Sequence, residues 1–360
     1  IWQVTPYSKT LQYRMNRDMK SLSVILGEQF NKNITESSDI NILMNLCANE
    51  WIKIAKTQSN PRPLFGNFWH QGEVAILFSN TGKGKSILAV QLANGISKGM
   101  DMLAQETTAQ KVIYFDFELS TKAFERRYTN ENGFSYKFSE DFLRVEIDRD
   151  KELESAEKTF EELLIESIKE QVGRSAAQVV IIDNITFLSA ANEKSKEALA
   201  LMKLILDLSR KRNLAILLIA HTPKRDIYKP IQLEDLAGSK ALSNFTDVCF
   251  CIGESAKGAD IRYIKQLKNR NFPIEFHDEN VMECTVVKED AFLQFKFVQF
   301  GREDEHLRKR ENTSDDQIEE ILEMKKQNLS NVQIAAALGV SETAIRRRLK
   351  KNVGRLDAEL

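Results

Sequence analysis

Short apolar runs alternate with longer stretches of helical periodicity through the middle of the chain. "EVAILF" (73–78) precedes "SILAVQLANGIS" (86–97), and "KVIYFDF" (111–117) precedes "TKAFERRY" (121–128). A charged helical stretch at roughly 151–171 precedes "VVIID" (179–183), and another at 193–212 precedes "LAILLIAH" (214–221). Runs this apolar predict strands buried on both faces, and helices between them make the strands parallel. The pattern therefore predicts an α/β fold, a mostly parallel sheet with helices on both faces. The runs "DVCFCI", "IRYIKQLK" and "AFLQFKFVQF" (291–300) predict an antiparallel extension at one edge.

The flanks read differently. Residues 1–60 lean helical, and "INILMNLCANEWIKIAK" (40–56) predicts one amphipathic helix that "NPRP" (60–63) brings to an end. "GREDEHLRKREN" (301–312) is almost all charge and reads as a linker. Beyond it, Ser314 with Gln317 and Ser330 with Gln333 fit capping boxes. Ser341 can cap a further helix and Gly339 sits in the turn before it. The expected division is a helical segment at 1–60, a core domain at 61–300, a linker at 301–312 and a small all-α domain at 313–360.

Composition narrows the function. A net charge of −1 over 360 residues supplies no global field toward nucleic acid or membrane, so such binding needs local patches. The apolar run at 214–220 is too short to span a bilayer, and the N-terminal residues carry no signal-peptide core, so a cytoplasmic location with no membrane partner is expected. None of the four cysteines has metal-binding spacing. Cys249 and Cys251 alternate on one side of a strand, which predicts buried reduced thiols.

Candidate chemistry begins at "FSNTGKGKS" (78–86), which departs from the phosphate-loop pattern G-x-x-x-x-G-K-[ST] only in having Ser79 at the first glycine. Asn80, Thr81, Gly82, Lys83, Gly84, Lys85, Ser86 and Ile87 form the candidate ATP cradle. Gly82 and Gly84 supply the turn, Lys85 the ammonium for the phosphates and Ser86 a hydroxyl for Mg²⁺. The loop follows a strand and opens a helix, whose N-terminus favours anions. Asp183 ends an apolar strand at the edge where ligands bind in parallel sheets, a place from which a carboxylate can orient Mg²⁺. "YFDFELS" offers Asp116 and Glu118 as bases on one face of a strand end; for Asp116 a solvated strand end is the favoured reading.

Taken together these residues resemble the RecA-like P-loop ATPases of the RepA and DnaB helicase-like (AAA_25) group. "FELSTKAFERRY" is similar to a segment whose glutamate is the catalytic base, and Glu118 falls on it. "LAILLIAHTPK" resembles the strand ending in a γ-phosphate sensor, here His221. "LEDLAGSKALSNFTDVCFCI" resembles a stretch that includes a DNA-facing loop, with Phe245 and Thr246 departing from its pattern. "KQLKNRNFP" resembles a segment reaching into a neighbouring subunit's site, with Lys268 and Arg270 on its cations. The resemblance covers about 61–300. It implies ATP and Mg²⁺ as cofactors and a homo-oligomer, a hexameric ring among the forms the group takes. Ser79 departs from the group, as does the lack of a DnaB-type N-terminal domain or primase segment.

"LSNVQIAAALGVSETAIRRRLKK" (329–351) has the layout of a helix-turn-helix, with an apolar seam of Ile334, Ala335, Leu338, Val340, Ile345 and Leu349. Its second helix would enter the major groove, with Glu342, Thr343 and Arg346 near bases and Arg347 and Lys350 near phosphates. Lys224, Arg225 and Lys229, in the loop after His221, are further candidates for single- or double-stranded DNA. The expectation is an ATP-hydrolysing RecA-fold helicase or motor for replication or mobilisation of a bacterial mobile element. The alternative is a DNA-binding regulator with ATP as a switch and no unwinding, and a KaiC- or RadA-like ATPase fits the core while leaving the tail less well explained.

Overall fold

The computed structural model describes residues 43–148, 160–185, 195–222, 228–236, 239–308 and 316–351. The chain divides into two units, 1–60 and 61–360. In the first, the described residues hold one helix, α1 (Ala48–Ala55), which has no buried residue and is shorter than the periodicity predicts.

Nine strands of the second unit form one sheet. Six are parallel: β3 (Val74–Ser79), β4 (Val112–Asp116), β5 (Phe142–Val145), β6 (Val179–Asp183), β7 (Ala215–His221) and β8 (Val248–Glu254). Three more run antiparallel: β9 (Ile261–Asn269), β10 (Val281–Glu289) and β11 (Phe292–Gly301). The order across the sheet is β11-β10-β9-β8-β3-β7-β6-β4-β5, which leaves β3 in the interior with β8 and β7 on either side. A small antiparallel pair, β1 (Pro63–Phe65) and β2 (Trp69–His70), precedes it. Alternation along β3 sends Ala75 and Leu77 into one apolar layer and Val74, Ile76 and Phe78 into the other, so the strand is buried throughout.

Helix α2 (Lys85–Lys98) covers the first layer through Leu88, Ala89, Leu92 and Ile96. The Gln91 amide fastens it to the hairpin edge: its Nε2 donates to the Phe295 carbonyl at 2.9 Å and its Oε1 accepts from the Phe295 amide at 2.8 Å. Helix α3 (Thr121–Arg127), capped by Ser120, follows β4. The opposite layer takes α4 (Phe160–Ser175), through Leu164, Ile168 and Val172, and α5 (Ser195–Arg212), through Met202 and Ile205. A short helix, α6 (Ser239–Phe245), leads into β8. Three helices end the described chain: α7 (Asp316–Lys326), α8 (Asn331–Ala337) and α9 (Glu342–Lys351). They share a core of Ile321, Ile334, Ala335 and Ile345.

Several expectations are corrected. "DVCFCI" belongs to the parallel set, because β8 pairs parallel with β3, and the reversal starts one strand later. The strand β10, "VMECTVVKE", was not anticipated, because its polar residues interrupt the apolar run. Cys249 and Cys251 do face one layer, buried and not joined in a disulfide. The charged stretch read as a linker begins inside the fold. Glu303 and His306 are each 1% exposed, and Glu303 accepts from the Ile231 amide and the Tyr263 hydroxyl, both at 2.8 Å, while pairing with Lys265. Charge density suggested solvent; the partner that makes burial tolerable is a fully buried lysine some forty residues upstream.

That cluster yields a stability prediction. Removing Glu303 leaves the buried Lys265 ammonium with only the half-exposed Asp278, 2.6 Å away. Glu303→Ala is expected to cost about 3–5 kcal/mol, read as a lower urea midpoint. An unchanged midpoint would show that the cluster contributes nothing to stability.

Candidate active site

The carboxyl-terminal edge of the parallel strands gathers the chemistry. β3 ends at Ser79, level with His221 on β7, and β4 ends at Asp116, level with Asp183 on β6. From Ser79 the chain turns through Gly82 (φ 73°) and Gly84 (φ 102°) into α2. Both glycines lie in the left-handed region, and a Cβ on Gly84 would stand 2.7 Å from the Phe295 ring. No side chain caps the start of α2, so its first amides are left for an anion. Ser79 needs no glycine conformation: it is the last buried residue of β3, and its hydroxyl donates to the Asn80 carbonyl at 3.0 Å.

Lys85 is the first residue of the helix and is only 6% exposed. Its Nζ donates to the carbonyls of Ser79 at 3.0 Å and Asn80 at 3.1 Å. Burial lowers its pKa, opposed by the charges of Asp183 and Glu118. Asn80 and Lys83 are held from the other side by Glu254 at the end of β8, at 3.1 and 3.0 Å. Asn80 also accepts a hydrogen bond from the Thr222 hydroxyl. Thr81 and Gly82 are exposed at the loop's tip, and Ile87 packs on the core below.

Asp183 is 1% exposed. Burial raises its pKa to about 6, against the neighbouring hydroxyls of Ser86 and Tyr114, and the Tyr114 hydroxyl donates to Oδ2 at 2.6 Å. Its Oδ1 is buried with no hydrogen-bond partner among the described residues. An orphaned carboxylate oxygen beside a serine hydroxyl and a lysine-bearing anion cradle fits a divalent cation carried with phosphates. Among the described residues no group of three or more His, Cys, Asp or Glu could hold a metal alone. Mg²⁺ needs none, since it keeps waters and takes substrate oxygens.

β4 ends at Asp116, so strand alternation does not extend to Glu118. Asp116 is 3% exposed, which corrects the expectation of a solvated strand end. Its Oδ1 accepts from the Leu119 amide at 2.9 Å and its Oδ2 pairs with Arg144 at 2.8 Å. It thus shapes the turn that carries Glu118. Glu118 lies against His221 Nε2 at 3.1 Å and accepts from the Asn184 amide. The His221 contact is the largest cause of its lowered pKa, burial opposing, with Lys85 and Asn184 adding to the decrease. Asn184 was missed by sequence reasoning; its position directly after Asp183 was the available signal.

Other candidates lie elsewhere. Lys268 is near the end of β9 and Arg270 directly follows that strand, at the opposite edge of the parallel strands, where Lys268 Nζ donates to the carbonyls of Ser243 and Thr246 at 2.6 Å and Arg270 pairs with Asp247 at 3.1 Å. Thr343, Arg346, Arg347 and Lys350 are exposed on α9, with Arg346 2.8 Å from Glu342. Lys224 and Arg225 fall outside the described residues, as does the Ser314 cap. Lys229 is exposed.

The AAA_25 family, described as an AAA domain, matches residues 44–226, just over half of the chain. The chain belongs to that family. AAA_25 proteins are RecA-like P-loop ATPases, which accounts for the sheet order and the β3 loop together and implies nucleotide binding. A KaiC-like protein from the hyperthermophilic archaeon Pyrococcus horikoshii OT3 is 14% identical over 66% of this chain and 100% of its own, with a TM-score of 0.46. No curated protein matches. Among the described residues no helix is long and apolar enough to cross a membrane.

The raised Asp183 pKa fixes a pH dependence for this AAA_25 site. Between its ordinary value near 4 and its folded value of about 6, the folded state binds the extra proton. Asp183 therefore adds stability at low pH that is lost as pH rises through that window. A Mg²⁺ ion held by Asp183 would need the ionised carboxylate, so affinity for a fluorescent Mg²⁺–nucleotide should fall as pH drops through about 6. Asp183→Asn should flatten the profile, and a pH-independent wild type would remove Asp183 from the metal role.

Proposed function

We propose that this AAA_25 chain hydrolyses ATP as an oligomeric RecA-fold protein acting on DNA, in the manner of a RepA- or DnaB-like helicase or motor serving a mobile element. The observation that carries the ATPase part is the convergence of Lys85, Ser86, Asp183, Glu118 and His221 at one sheet edge. In this reading Lys85 and the loop amides bind the phosphates, the lysine exchanging two backbone carbonyls for anionic oxygens. Ser86 and Asp183 hold Mg²⁺, which when bound supplies electrostatic stabilisation of phosphate charge. Glu118 accepts the proton of the attacking water, and its lowered pKa keeps it ionised at neutral pH. His221, hydrogen-bonded to it, senses the γ-phosphate and passes the signal to the loop that follows β7. Lys268 and Arg270 serve a neighbour's phosphates, a role that requires them to leave their present carbonyl and carboxylate partners.

The DNA part is supported by the tail. Ser330 and Gln333 form a capping box at α8, Gly339 turns at φ 65°, and the Ser341 hydroxyl accepts from the Ala344 amide at 3.3 Å to start α9. The apolar seam faces inward, and Thr343, Arg346, Arg347 and Lys350 face solvent, the division a major-groove helix needs. A helix of this kind suits duplex docking better than translocation, which favours the second reading, a DNA-binding regulator in which ATP acts as a switch.

Lys85→Ala is expected to abolish nucleotide binding, checked by calorimetry beside a melting curve because the lysine is buried. Retained binding would overturn the nucleotide site. In the full chain, neutralising Arg347 or Lys350 should flatten the salt dependence of duplex binding by about one counterion each. No duplex binding by the wild type at low salt would end the DNA reading. ATP-driven strand separation selects the motor, and ATP-dependent occupancy without unwinding selects the regulator.

A further inference from the structure

Asn184 is a buried polar side chain at the site edge that the hydrolysis scheme leaves without a task. It is 3% exposed and directly follows Asp183, the last residue of β6. Its Nδ2 lies 2.9 Å from His221 Nε2 and donates to Glu118 Oε1, while His221 and Glu118 are themselves 3.1 Å apart. Glu118 is more exposed than these neighbours. It lies beyond the end of β4 with a side chain 42% exposed, and surface this open does little by itself to fix a glutamate's rotamer. A general base has to stand within hydrogen-bond reach of the water it activates, so an untethered glutamate spends much of its time elsewhere.

We propose that Asn184 is a positioning residue: its buried side-chain amide holds the Glu118 carboxylate against His221 at the mouth of the phosphate site and so orients the base. The inference rests on the reading of Glu118 as that base. The chemistry of the tether is specific. A carboxylate at position 184 would add a further negative charge beside Asp183, Asp116 and Glu118, and an apolar residue would offer no donor. An amide supplies N–H donors without charge, and donation to the ionised form of Glu118 keeps it deprotonated, in line with its lowered pKa. The same amide touches His221, so displacement of His221 by a ligand would be felt at Glu118 through one shared partner.

The test uses the full chain with Asn184→Ala, Asn184→Asp, Glu118→Gln and the Asn184→Ala/Glu118→Gln double variant. Asn184→Ala should lower kcat by about tenfold, a fraction of the contribution of a general base, with KM for ATP within about twofold. The acid limb of its kcat–pH profile should move to higher pH, because the carboxylate has lost a donor. In the Glu118→Gln background the same substitution should cause no further loss, since both act through one carboxylate. Asn184→Asp keeps the volume while removing the donors; it should shift the limb at least as far and carries the test if the alanine variant does not fold. A wild-type profile in both variants, or a full additive loss in the double variant, overturns the proposal. If Glu118→Gln alone turns over normally, the base assignment falls and this inference with it; an inactive Glu118→Gln beside a normal Asn184→Ala removes the inference alone.

Discussion

Strand register is the constraint on which the site depends. Ser79 stands opposite His221 and Asp116 opposite Asp183, so the four strands stop together and release their loops on one side. Register in a buried parallel sheet is hard to shift, because a one-residue slip moves every side chain to the other face. Here both faces are apolar, so sequence alternation alone would not penalise a slip. The penalty comes from the polar residues at the strand ends, which would be drawn into the sheet or carried away from their partners. Asp183, with Tyr114 bonded to it from the neighbouring strand, is the clearest case.

Charge balance at that edge follows from the same geometry. Three carboxylates, those of Asp116, Asp183 and Glu118, meet two cations, Lys85 and Arg144. Arg144 is committed to Asp116 and the turn, reaching the Leu119 carbonyl at 2.7 Å as well. Lys85 is left to offset the other two carboxylates. Burial pulls the Asp183 and Lys85 pKa values in the directions that favour neutral forms. A site whose acid and base are both driven toward neutrality is one that a bound cation and anion would relieve, since Mg²⁺ and a polyphosphate restore to each group the opposite charge that water no longer supplies.

Much of this was legible in the sequence for identifiable reasons. The buried parallel strands have unbroken apolar runs, and the phosphate loop has glycines whose φ values no other residue adopts at low cost, as Gly84 shows. Residues that act through partners distant in sequence were harder to read. Asp116 looked solvated because Arg144, 28 positions on, is what permits its burial. Glu303 looked like linker because Lys265 and Tyr263 lie on another strand. Asn184 carried no motif of its own, and its meaning depends on a turn and a strand end that meet it only in the folded chain. Lys268 and Arg270 fit a cation pattern, yet the local carbonyls and carboxylate that hold them are invisible to such a pattern.

The connections around Asn80 tie these parts into one unit. Its side chain donates to Glu254 on β8 and accepts from Thr222, the residue after His221, while the Thr222 amide donates to the Ser79 carbonyl at 3.3 Å. Glu254 holds Lys83 as well, and Arg262 on β9 donates to the Lys83 carbonyl. The phosphate loop is therefore linked by side chains to the start of the segment after β7, and that segment is anchored again at Ile231 by Glu303. The two side-chain bonds of Asn80 use only part of what it offers, since its nitrogen carries two N–H donors and its oxygen two lone pairs. A displacement of Asn80 large enough to break one of them would free either Thr222 or Glu254. Without its bond to Asn80, Glu254 would still hold Lys83 through its other oxygen, and a single asparagine joins Thr222 and Glu254 to the loop.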